Sequence, residues 1–195
     1  SMGGEVVDGS TTLFDSPESV RVFELLETLA KEKLCYVIPA RTYDDEAAFA
    51  QDQIAFFLRS SSSRTSILRV MEGSTEGWGI APIPQADPDH PRTVLYGPNV
   101  CIFNTTPEQQ RVAWEFIKHF TSPDVAVRWS LGSGYVPIRK SAAEDPRMQA
   151  FWAEWKYNRA AFDCLPFARP EPNLVGWQQV REVIEGAEAA VLSGL

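Results

Sequence analysis

The chain has 195 residues, 44% of them hydrophobic, enough for a packed core and too many for a disordered or fibrous polypeptide. It carries 18 basic and 26 acidic residues, a net charge of −8. That balance argues against non-specific binding to nucleic acid or to an anionic membrane, since both need a basic face. It leaves room for a small anionic ligand, because a single buried arginine can dominate a pocket.

In chain order, Ser1 and Met2 read as a tag remnant and are set aside. Residues 3–15 are polar and glycine-bearing and predict a loop or short hairpin through VVDGSTTLF. Ser16-Pro17-Glu18 has cap-then-proline order and starts a helix whose apolar face is Val20, Phe23, Leu25 or Leu26, and Leu29, ending near Lys33. Tyr36 to Pro39 is expected to be extended. Asp44-Asp45-Glu46 places acids in the first turn of a short helix anchored by Phe49. Ile54 to Leu58 is a near-continuous apolar run, as in a central strand covered on both faces. Next comes RSSSSRT, residues 59–65, as a strand-to-helix turn. Free N–H groups and serine hydroxyls there suit an anion or sugar hydroxyls, although serines that merely cap a surface helix explain the same residues. Trp78 to Pro84 predicts a strand running into a proline turn, and residues 85–92 an exposed polar loop.

The stretch from Tyr96 to Lys140 is the densest in signals. Val100 to Phe103 predicts a short buried strand, with Cys101 as a small buried hydrophobe. Thr106, Pro107 and Gln109 form a capping box that starts a helix with Ala113, Phe116, Ile117 and Phe120 on one face. Ser122-Pro123 starts a second helix that runs to Gly132 and Gly134, and the chain leaves extended through Tyr135, Val136 and Pro137. Asp145-Pro146 begins an aromatic-rich helix with Phe151 and Trp152, followed by Trp155 and Tyr157. Residues 166–172 are proline-dominated and extended, and a last helix covers about 175–192 with Val180, Val183, Ile184, Ala187 and Val191 as its stripe.

Catalytic and metal chemistry find little support in this order of residues. His90 and His119 are isolated, and Asp87 and Asp89 lack the ligand count of a calcium site. No nucleophile elbow, phosphate loop or CxxC pair occurs. The acid pairs stand at helix starts, where capping explains them. The expectation is therefore no catalytic residue, no metal, no cofactor and no nucleic-acid partner. Cys35, Cys101 and Cys164 are widely spaced and odd in number, and no disulfide is expected.

The G-P-N strand start, the P-E-x5-W-E-F-I-K-x-F-T-S-P helix and the G-Y-V-P-x-R-K-S-A exit, in this order, resemble the extracellular solute-binding proteins of ABC importers. The resemblance is to the sugar- and glycerol-3-phosphate-binding group, and WGIAPIP and YDDEAAFAQDQIAFF upstream extend it to nearly the whole chain. It implies an α/β, periplasmic-binding-protein-like (type II) fold. Residues 3–98 and 138–195 would be the C-terminal lobe, and 99–137 a crossover segment of the N-terminal lobe. Such a protein works outside the cytoplasm, in the periplasm or lipid-anchored at the cell surface, and passes its sugar or glycerol phosphate to a membrane permease.

The same resemblance implies ligand contacts at Ser60, Ser61 and Ser62, at Gly97 and Asn99, at Tyr135 and at Arg169. Trp78 and Trp177 are further candidates for stacking, although core packing is the commoner fate of tryptophan. Without a first lobe, Phe116, Ile117, Phe120, Val127 and Trp129 would form an exposed apolar patch, and 99–137 would be a route to self-association. The alternatives are an interaction module that reuses the lobe without a solute and, further off, a carbohydrate-active enzyme.

Overall fold

Three helix starts follow local capping chemistry, whereas Ser122, expected to cap a fourth, makes no side-chain cap bond. In the computed structural model, which describes residues 2–35, 38 and 42–194, the strands and helices are, in order, β1 (Val7–Asp8), β2 (Thr11–Thr12), α1 (Pro17–Lys31), α2 (Asp44–Ala50), α3 (Arg64–Val70), β3 (Thr93–Leu95), α4 (Pro107–Phe120), α5 (Pro123–Ser133), α6 (Lys140–Ala143), α7 (Pro146–Glu154), α8 (Ala160–Asp163), β4 (Ala168–Pro170) and α9 (Trp177–Leu192). Ser16 Oγ accepts from the Ser19 N–H, Thr106 Oγ1 from the Gln109 N–H, and Asp145 from the Arg147 N–H, each with proline in the first turn of the helix it caps. The loop-or-hairpin expectation resolves as a hairpin: β1 and β2 pair antiparallel around Gly9, whose φ is +58°. The expected extended residues Tyr36, Val37 and Pro39 lie outside the described set.

The chain forms two compact units. The first comprises residues 1–45, 83–95 and 167–195. In it α1 packs on α9, and β3 lies parallel to β4 with Val94 opposite Arg169. Phe14 stacks on Trp177 with ring centroids 6.3 Å apart. The second comprises residues 46–82 and 96–166. Its centre is Ala126 and Val127 of α5, Ala142 and Ala143 of α6, and Met148 and Trp152 of α7, with Leu131, Phe151 and Phe162 against them. The expected crossover segment 99–137 lies within this second unit, where α5 packs on α6 and α7.

Three expected strands do not form. Residues 54–58, 78–84 and 100–103 have no regular structure, and Phe56, Leu58, Val100 and Phe103 are exposed. An apolar run states which side chains favour burial, but a strand also needs a neighbour to take its N–H and C=O groups. Among the described residues, the strand pairings are β1 with β2 and β3 with β4, so none of the three runs has such a neighbour. Cys101 is accordingly exposed, not a buried hydrophobe, and all three cysteines are free. Val127, expected in an exposed patch, is fully buried, whereas Phe116 and Trp129 are more than half or half exposed at 59% and 50%. The reason is helical phase: Val127 shares its face with Ala126 and Ser130, which α6 and α7 cover, and Trp129 points away from that face.

Candidate functional site

The second unit contains a small cavity whose walls come from four stretches of sequence and from Ile80. The serine turn supplies Ser61 and Arg64, and α5 supplies Ser130. The glycine exit supplies Gly134, Tyr135, Val136 and Pro137. Residues 148–162 supply an aromatic and polar wall that includes Phe151, Trp152, Tyr157 and Asn158. Its interior leaves about 30 Å³ for the centres of water-sized groups.

The glycines explain how these stretches meet. Gly134 ends α5 in the left-handed region at φ +79°, and its N–H donates to the Ser130 carbonyl. A Cβ there would lie 3.2 Å from Thr65 Cγ2 and 3.3 Å from the Ser62 carbonyl oxygen. The exit turn is thus pressed against the serine turn. Gly79 performs the same service for Tyr157, whose ring atoms would stand 2.5–2.6 Å, and whose hydroxyl oxygen 2.8 Å, from an added Cβ. At Gly97 a Cβ would be 3.9 Å from Tyr135 Cε1, so the two expected passes of the chain, near Pro98 and near Pro137, are neighbours in this unit.

The expected contact residues separate in the following way. Ser61 and Tyr135 line the cavity, and Gly97 adjoins Tyr135. Ser60 and Ser62 share a 3.1 Å hydroxyl–hydroxyl hydrogen bond, and the Ser62 carbonyl also accepts from Thr65 Oγ1. Ser62 is half-buried and Ser60 exposed at the turn that opens into α3. Asn99 is exposed and is not among the cavity residues. Arg169 belongs to the first unit, on β4, exposed and donating through Nη1 to the Ala168 carbonyl. Of the two tryptophans considered for stacking, Trp78 packs at 4.6 Å on Trp155 and edge-on to Phe49, and donates from Nε1 to the Ser74 carbonyl. Trp177 packs on Phe14, and its Nε1 is buried with no hydrogen-bond partner.

Sequence reasoning missed Arg64 and Ser130. Arg64 is 9% exposed; it donates a long 3.5 Å hydrogen bond to Asn158 Oδ1 and lies over the Phe151 ring at 4.8 Å. Burial lowers its pKa from the ordinary guanidinium value, yet such a group still carries its charge at neutral pH. Asn158 is held in turn by donating from Nδ2 to the Phe151 carbonyl at 2.7 Å. Ser130 is 3% exposed and its Oγ has no hydrogen-bond partner. A signal for Ser130 existed: a hydroxyl on the same helical face as Ala126 and Val127 interrupts an apolar stripe. For Arg64 there was none, because its burial comes from residues more than eighty positions away.

Among the described residues no group of three or more histidine, cysteine, aspartate or glutamate side chains could hold a metal ion. Asp87, Asp89 and His90 form a local loop contact instead, with His90 Nδ1 2.7 Å from Asp87 Oδ2. No described helix is long and apolar enough to cross a membrane.

Residues 3–157 match the family model described as bacterial extracellular solute-binding protein. Among solved structures, the chain is similar to UgpB from Mycobacterium tuberculosis in complex with glycerophosphocholine, with 23% identity and a TM-score of 0.76, covering 100% of this chain and 48% of that one. It is also similar to the sugar-binding protein MalE from the phytopathogen Xanthomonas citri, with 20% identity and a TM-score of 0.78, covering 99% and 49%. Maltose-bound MalE3 from T. maritima gives 24% identity and a TM-score of 0.76, covering 100% and 50%. These likenesses show the fold, that of a type II periplasmic binding protein. The chain spans about half the length of the structures it matches. No curated protein matches it.

Proposed function

The chain belongs to the bacterial extracellular solute-binding proteins, and from that premise we propose that it forms one wall of a solute cleft in an ABC-importer receptor. The receptor would capture a sugar or a glycerol-phosphate-type solute outside the cytoplasm, in the periplasm or at the cell surface. It would release that solute unchanged to a membrane permease. The observation that carries this reading is the gathering of Ser61, Tyr135 and the Gly97 pass around one polar-and-aromatic cavity. Aromatic faces beside hydroxyl donors are suited to reversible recognition of a small polar molecule. Ser60, Ser62 and Asn99 are proposed as further contacts, and Arg169, on β4 of the first unit, as a contact in its own right. That UgpB was solved with glycerophosphocholine and MalE3 with maltose supports both solute classes equally.

A second element of the proposal concerns residues 99–137. Phe116 of α4 and Trp129 of α5, 59% and 50% exposed, are joined through ring contacts with Phe120, an apolar surface larger than scattered single residues make. In a longer receptor this segment would serve the other lobe; in this chain alone it is proposed to support self-association.

The reading is tested by calorimetric titration of the two-lobed receptor with maltose, glycerol 3-phosphate and glycerophosphocholine. One of them should bind, and Tyr135→Ala should weaken that binding. Affinity unchanged in both Tyr135→Ala and Arg169→Ala would remove the assignment of the site.

A further inference from the structure

The cavity holds one charged side chain, and that charge is uncompensated. Its walls contain Arg64 but no aspartate or glutamate, and Arg64 makes no ion pair among the described residues: its contacts are Asn158 Oδ1 and the Phe151 ring. A guanidinium has five N–H donors, so most of its fork is unused. A buried cation without a counter-charge is costly unless something anionic arrives to pair with it. Ser130 Oγ, buried and without a partner on the same cavity, is the second unfilled valence. Two unsatisfied polar groups on one void point to a ligand atom set that accepts hydrogen bonds and carries negative charge.

We propose that Arg64 and Ser130 hold the terminal phosphate of a phosphorylated polyol, so that the solute of this cleft is anionic and not a neutral sugar. This rests on the solute-binding reading above and narrows it. The volume suits a small terminal group: about 30 Å³ is open to the centres of water-sized atoms. The planar arginine fork matches a phosphate edge through two parallel hydrogen bonds. A third phosphate oxygen remains for the Ser130 hydroxyl, while a carboxylate has only two oxygens for the same donors. Ser61 at the mouth and Tyr135 beside Gly97 are then placed for the polyol that follows.

The test uses this chain and the intrinsic fluorescence of Trp152, which lines the cavity. It is titrated with glycerol 3-phosphate, inorganic phosphate, glycerate, glycerol and maltose. Glycerol 3-phosphate should give a saturable change that weakens with added salt, inorganic phosphate a weaker one, and the remaining three none. Arg64→Met should weaken glycerol 3-phosphate roughly thirty-fold, and Ser130→Ala about ten-fold. Ser130→Ala removes an atom with no partner, so it reports on the site even where Arg64→Met fails to fold. Maltose binding without glycerol 3-phosphate binding would overturn the anion assignment and leave the solute-binding reading standing. Glycerate binding as tightly as glycerol 3-phosphate, or undiminished binding in Ser130→Ala, would also overturn it. No response to any of the five would overturn the anion assignment, while the solute-binding reading is judged by the titration of the two-lobed receptor.

Discussion

Substituting Gly134 by alanine tests whether the exit turn is held against the serine turn as tightly as the geometry requires. Two costs add. At φ +79° an L-residue meets left-handed strain of roughly 1–2 kcal/mol. The new methyl would also stand 3.2 Å from Thr65 Cγ2 and 3.3 Å from the Ser62 carbonyl oxygen. One of those neighbours is backbone, so the serine turn must retreat by a few tenths of an ångström, at about 1 kcal/mol. The total, about 2–3 kcal/mol, corresponds to a fall in Tm of roughly 4–12 °C for a chain of this size. Near-ultraviolet circular dichroism during thermal unfolding follows the second unit through Trp78, Trp152 and Trp155. A double-mutant cycle with Thr65→Ser separates the two costs, because serine keeps the hydroxyl that donates to the Ser62 carbonyl and lacks the methyl. Part of the loss should return in the double variant while the strain remains. A Gly134→Ala variant within about 0.5 kcal/mol of the parent, or one with no recovery from Thr65→Ser, would refute the close approach of the two turns.

Three other outcomes are expected. Val127→Ala, at a fully buried site, should cost about 2–3 kcal/mol from lost transfer energy and the residual cavity; chemical denaturation measures it. The Arg147 guanidinium, with the Arg147 backbone N–H, holds the Asp145 carboxyl down at about 2. Since an unfolded aspartate titrates near about 3.9, this contribution is complete above that value and is lost as pH falls through about 2, so Asp145→Asn should lessen the pH dependence of stability over that window. The double variant Phe116→Ser/Trp129→Ser should shift the chain toward monomer in light scattering; a parent that is already monomeric would contradict the proposed role of residues 99–137.

The sequence was most informative where structure is local. Ser16-Pro17, Thr106-Pro107 and Asp145-Pro146 each start a helix within a few residues, because cap, proline and first-turn donor are neighbours along the chain. The same residues say nothing about pairing between distant segments. Hence Val100–Phe103 and Ile54–Leu58 read as strands from their composition, yet lack partners in the fold. The site divides along the same line. Tyr135 and Ser61 were named through the family resemblance of the segments that carry them, and the cavity includes both. Arg64 was not legible, since a charged residue in a serine run is indistinguishable from a surface one until Phe151 and Asn158 close over it. Trp78 follows the commoner of its two expected fates: it packs against Trp155 and Phe49.

The account's central claim is that solute is gripped where the chain passes Gly97 and returns at Tyr135. Titration calorimetry of the two-lobed receptor, wild type against Tyr135→Ala, with glycerol 3-phosphate and with maltose, tests it most directly. The account predicts saturable binding of one solute and about a ten-fold loss in the variant, the effect of removing an aromatic contact worth on the order of 1–1.5 kcal/mol. Equal affinity in the two proteins would contradict it.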